Sequence, residues 1–143
     1  MADIVHHFPI KASRQKVFAA LSTPLGLDQW WTNESLGEPG PGEEYELGFG
    51  PESKWRAQIS KYLPPEEFEM QLTTADDDWR GTRVGFLLNE KDSLTEVEFY
   101  HSGWPEDNDH YRISCYCWAM YLRLLKRYVE FGEVVPYEDR LDV

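Results

Sequence analysis

The sequence predicts an α+β fold: a curved antiparallel six-stranded sheet wrapped around a long C-terminal helix, with two short helices after the first strand. Two observations carry this. Apolar and polar residues alternate in one segment at the start and in five more through the middle, the period of strands with one covered face. The last third switches to a helical period with a broad apolar stripe. Antiparallel strands in this order curl, and one long helix fills the concave side.

Each element has its own justification. Ile4, His6, Phe8 and Ile10 share one face of the opening strand. Ser13 is placed to cap a short helix running to about Ser22, whose inner side carries Val17, Phe18 and Leu21. Thr23-Pro24 offers a second cap with proline at the first helical position, and the short helix after it ends in Trp30-Trp31. The run Gly37-Glu38-Pro39-Gly40-Pro41-Gly42 reads as a loop. Inward positions then recur as Tyr45, Leu47 and Phe49; Trp55, Ala57 and Ile59; Phe68, Met70 and Leu72; Val84, Phe86 and Leu88. The last strand turns Thr95, Val97, Phe99 and His101 inward, with Glu96, Glu98 and Tyr100 outward. The helix spans about Asp107 to Gly132: Tyr111, Cys115, Trp118, Leu122, Leu125 and Val129 form its stripe, and Arg112, Arg123, Lys126 and Arg127 gather opposite. Gly132 is suited to end it.

Composition narrows the function classes. The chain has 143 residues, the size of one domain spanning 1–143, with 14 Lys and Arg against 26 Asp and Glu, a net charge of −12. An excess of that sign disfavours nucleic acid, which needs a basic patch, and an anionic membrane surface. Yet aromatics make up 15% of the residues, too many for a disordered acidic segment. The glutamates fall on outward strand positions such as Glu44, Glu46, Glu67, Glu69, Glu96 and Glu98, which reads as a solvated coat. An anionic ligand would have to overcome that coat, so a neutral or cationic one is expected. Cys115 and Cys117 lie two apart on the helix, pointing about 200° from each other, so they are expected as free thiols. With no secretion signal in view, free thiols fit a cytoplasmic protein.

Chemical motifs are sparse. There is no nucleophile elbow, Walker loop, Cys-x-x-Cys or His-Glu-x-x-His. Asp76, Asp78 and Gly81 match three positions of a calcium loop, but Arg80 and Leu87 stand where oxygen ligands are required, so this stretch reads as a solvated hairpin turn. His6 and His7 point to opposite faces of one strand and cannot chelate one metal. His101 faces inward at the end of the last strand, as a general acid/base or as a hydrogen-bonded core histidine. Trp30, Trp31, Trp55 and Trp118 are placed to face one space, while Trp79 and Trp104 fall in loops suited to a pocket mouth or a contact patch. Neither a cofactor nor a metal is implied.

Taken together, Ile10-Lys11-Ala12-Ser13, Val17-Phe18-Ala19-Ala20-Leu21, Thr23-Pro24, Leu27-Asp28-Gln29-Trp30-Trp31, Gly81-Thr82-Arg83-Val84, Thr95-Glu96-Val97-Glu98-Phe99, His101-Ser102-Gly103-Trp104 and Tyr128-Val129-Glu130-Phe131-Gly132 form a recognisable order. The chain resembles the START-like, SRPBCC superfamily (the helix-grip fold). Within it, the chain is similar to the family named for homology to the C-terminal domain of activators of the ninety-kilodalton heat-shock-protein ATPase. The resemblance covers about Ile4 to Gly132. It implies a deep apolar cavity between sheet and last helix, and the positions matching its lining are Trp30, Trp31, Met70, Phe86, Phe99, His101, Trp118 and Tyr121. It carries over no catalytic residue. The expected function is binding of an apolar or aromatic small molecule. The alternatives are a protein–protein module of chaperone-activator type, using the outer helix face or the Trp79 and Trp104 loops, and a cyclase- or hydratase-like enzyme using His101. The chain shows no counterpart of the activators' additional N-terminal domain, which weighs against direct chaperone activation.

Overall fold

A computed structural model of the chain describes residues 2–51 and 53–143. It is α+β, with strands β1 (Ala2–Ile10), β2 (Glu34–Leu36), β3 (Glu44–Gly48), β4 (Lys54–Leu63), β5 (Glu67–Thr74), β6 (Arg83–Lys91) and β7 (Leu94–Trp104), and helices α1 (Arg14–Ser22), α2 (Pro24–Leu27) and α3 (Asp109–Phe131). A 3₁₀ helix, Tyr137–Asp142, closes the chain. The strands form one antiparallel sheet in the order β1-β7-β6-β5-β4-β3-β2, so the first strand pairs with the last. The sheet curves around α3, which buries Trp118, Leu122, Leu125 and Val129 against it.

The sheet has seven strands rather than the expected six. The extra one, β2, is three residues long and buries only Ser35, so it shows no alternation to read. It pairs with β3 at Glu34 opposite Gly48, where a Cβ would sit 2.3 Å from the Glu34 carbonyl oxygen. Only glycine allows the two backbones to meet there. In β4 the register shifts between Ile59 and Lys61, and a bulge of this kind moves the later residues of the strand to the opposite face. Tyr62 therefore turns inward, with its ring 5.8 Å from Phe18.

The helix caps reflect local chemistry. Ser13 Oγ accepts from the Lys16 N–H at 3.3 Å, and Thr23 Oγ1 accepts from the Gly26 N–H at 3.0 Å. The helix α3 begins at Asp109, two residues later than expected, because Asn108 caps it: Asn108 Oδ1 accepts from the Tyr111 N–H at 3.0 Å. Gly132 ends it at φ +70°, as its lack of a side chain permits. The element α2 ends at Leu27, and Trp30-Trp31 lie in the turn beyond it.

Three side chains depart from their expected settings. Glu69 occupies an outward position but is buried, because the Tyr100 ring lies across Gly85 and its hydroxyl donates to Glu69. Ser60, Lys61 and Arg83 complete the enclosure. Burial alone would raise the Glu69 carboxyl; the Tyr100 and Ser60 hydrogen bonds and the two cations instead hold it below the usual carboxylate value. Trp104 is fully buried at the end of β7, and Trp79 folds inward from its turn, so neither is an exposed contact patch.

Candidate functional site

Aromatic side chains from six segments of the chain meet where the sheet faces the first half of α3. The Trp118 ring lies 4.6 Å from Phe99, 5.1 Å from Trp31 and 5.8 Å from Trp79, against which it stacks. Trp55 bridges Trp79 and Phe49 at 5.1 and 4.9 Å. All of these rings except Phe99 enclose one side of a pocket of about 450 Å³. Across from them, α3 lines it with His110, Ser114, Cys117 and Tyr121. At 100° per residue these four fall within about 60° of arc, a polar stripe beside the helix's apolar one. Asp76 and Ser53 add polar groups from the sheet side, and Leu141 of the terminal 3₁₀ helix lies at the rim.

His101 holds this assembly together from behind. The Trp118 indole, a donor only, gives its N–H to His101 Nδ1 at 3.0 Å, so Nδ1 carries the lone pair and Nε2 the proton. Nε2 then donates to Thr82 Oγ1 at 2.8 Å, and Thr82 Oγ1 donates to the Trp79 carbonyl at 2.5 Å. Burial, with a smaller contribution from His110, lowers the imidazole to about 3, so it stays neutral. With both nitrogens engaged, His101 has no free nitrogen to exchange a proton with a ligand. Its chain of bonds ties α3 to the β5–β6 turn and sets the angle of two indoles.

Of the eight positions that the resemblance marked, Trp31, Trp118 and Tyr121 line the pocket. Trp30, Met70, Phe86, Phe99 and His101 are buried in the core behind it. Phe49, Asp76, His110, Ser114 and Cys117 also line it, and the sequence did not single them out as lining. The helical spacing of His110, Ser114, Cys117 and Tyr121 was the available signal. Burial pushes the Tyr121 hydroxyl up to about 12 and raises the Cys117 thiol, so both remain protonated near neutrality. The buried indole N–H groups of Trp79 and Trp104 have no hydrogen-bond partner among the described residues. No group of three or more His, Cys, Asp or Glu residues suited to a metal occurs among them, and no helix is long and apolar enough to cross a membrane.

A curved antiparallel sheet gripping a long C-terminal helix, with an aromatic pocket between them, defines a START-like, SRPBCC protein of the helix-grip class. The sequence profile of the Activator of Hsp90 ATPase homolog 1-like protein family matches residues 11–130, and the chain belongs to that family. Among solved structures it is similar to the Aha1 dimer from Colwellia psychrerythraea, at 32% identity and a TM-score of 0.83, covering 93% of this chain and 99% of that one. A Staphylococcus saprophyticus protein (18% identity, TM-score 0.78, 94% and 96% covered) and a Bacillus halodurans protein (22%, 0.75, 91% and 98%) share the fold. No curated protein matches the chain. Family membership supports a module that binds a ligand or, like the activators that give the family its name, a protein partner.

Proposed function

We propose that the chain binds a small apolar or aromatic molecule, neutral or cationic, in the pocket between the curved sheet and α3. One observation carries the reading: Trp31, Phe49, Trp55, Trp79 and Trp118 wall about 450 Å³ while α3 faces them with polar groups. Pockets of this kind hold flat ligands by ring contact and orient them through a few polar atoms. The net charge of −12 and Asp76 at the wall disfavour an anion. Titration with the neutral dye Nile red tests this. Its emission should rise and shift to the blue on the native protein, and Ile113→Trp, at an exposed position on the rim, should weaken binding at least ~10-fold by filling the space. Absence of any dye response, with no thermal shift from a neutral and cationic aromatic library, sinks the reading.

A second reading, a protein partner on the outward face of α3, is favoured by Tyr116 and Ile113, both largely exposed there. Beside Tyr116, a groove of about 410 Å³ carries Met120, Arg123 and Arg127. The similar Colwellia protein is a dimer. Tyr116→Asp should lower the mass measured by light scattering if a second copy sits there. Arg123→Glu with Arg127→Glu should reduce recovery of a partner such as Hsp90; unchanged recovery excludes this surface as its docking site.

A further inference from the structure

The turn from β5 to β6 does more than join two strands. Trp79 and Arg80 donate their backbone N–H groups to the Asp76 carbonyl, both at 2.9 Å, and Gly81 at φ +85° reverses the chain so that its N–H meets the Leu72 carbonyl at 2.7 Å. This winding sends Trp79 inward and sets Asp78 beside the start of α3. There Asp78 Oδ2 accepts from His110 Nδ1 at 3.0 Å and from Asn108 Nδ2 at 3.3 Å. Asn108 is fixed in turn by capping α3. The His110 hydrogen bond, followed by that from Asn108, holds the Asp78 carboxyl below its usual value, so it is ionised and accepts only.

An ionised acceptor at Nδ1 dictates the neutral tautomer of His110. Nδ1 carries the proton, and Nε2 is left with a lone pair that has no protein partner among the described residues. The His110 ring is held edge-on to Trp104 at 5.4 Å. One turn along the same face, Ser114 lines the pocket; it is only 6% exposed, and its hydroxyl makes no hydrogen bond within the described protein. That hydroxyl is open to the pocket, so it and the oriented imidazole lone pair are two neighbouring hydrogen-bonding atoms left free for a ligand. The neighbouring indoles supply the flat apolar surface.

We infer that Asp78, His110 and Ser114 form the polar end of the pocket and select a neutral aromatic ligand bearing a hydroxyl, whose O–H donates to His110 Nε2 while its oxygen accepts from Ser114. The inference rests on the pocket reading above and names the ligand class for that site. His110 and Ser114 touch the ligand; Asp78 is a positioning residue that acts through the imidazole.

Calorimetric titration with 2-naphthol and 2-methoxynaphthalene, in mildly alkaline buffer, tests it. The two share a ring system, but only the naphthol has a hydrogen to donate. The naphthol should bind about fivefold tighter, the value of one added neutral hydrogen bond. His110→Phe should abolish that preference while leaving the methoxy affinity within about twofold, since the ring surface is kept. ¹⁵N spectra of the imidazole should show an unprotonated Nε2 in the free protein, shifted by the naphthol and not by its ether. Asp78→Ala should redistribute the tautomers and narrow the preference. Equal affinities for the wild-type protein, or a preference that survives His110→Phe, overturn the polar end while leaving the pocket standing. Binding of neither compound overturns the polar end, and together with the absence of any Nile red or library response it overturns the pocket as well.

Discussion

At the scale of single residues, His101 shows how burial decides chemistry. Its folded imidazole titrates at about 3 and the unfolded one at 6.5, so the unfolded chain takes up the proton first as pH falls. The stability tied to the neutral form is therefore complete above about pH 6.5 and declines below it. Between pH 7.5 and 5 the loss should be about 2 kcal/mol, read as a falling urea midpoint, and His101→Gln should flatten that limb whatever it costs at neutral pH. Alternation was enough to put His101 on the inner face. It could not tell a free base from a satisfied one, because the deciding partners, Trp118 and Thr82, come from other elements. Glu69 fails in the same way: its face was legible, but its burial depends on Tyr100 leaning over Gly85 from the strand beyond.

Among elements, legibility tracks length and local signal. The strands β3 to β7 and the helix α3 announce themselves by period, and Ser13, Thr23 and Gly132 mark helix ends by their own chemistry. The strand β2 is too short to carry a period, and the terminal 3₁₀ helix is held by an interaction with no local trace. Arg140, buried in that helix, donates to the carbonyls of Asp28 at 2.8 Å and of Thr32 and Val135 at 3.0 Å. Arg140→Met should leave those carbonyls without their donor and cost about 2 to 3 kcal/mol. The terminal helix would then release Leu141 from the pocket rim, and acrylamide should quench the tryptophan emission more strongly. A variant with unchanged quenching and stability would show that the helix does not depend on this anchor. The pocket-lining stripe on α3 was readable in principle, yet the longer apolar stripe beside it dominated the period.

For the molecule as a whole, the charge of −12 acts on every property at once. Arg56 pairs with Glu44 and Glu46, and Lys61 with Glu67, but the acidic excess leaves net repulsion across the outer surface. Raising ionic strength from low to physiological should therefore raise the melting temperature, as screening relieves that repulsion; a fall would mean that the ion pairs outweigh it. The strand order has a different consequence, one of timing. The strand β1 is made before every other strand of this sheet, but its sheet partner is β7, and Tyr111 of α3 reaches back to the Asp3 carbonyl across 108 residues. Closing so long a loop is entropically costly, and pairings of this kind place folding in the slow, millisecond-to-second regime. During synthesis the first strand must wait with its backbone unpaired, open to the same strand of a neighbouring chain. The earliest strand of the sheet to be made is thus among the last to be secured, and a chain stopped before β7 leaves it without its partner.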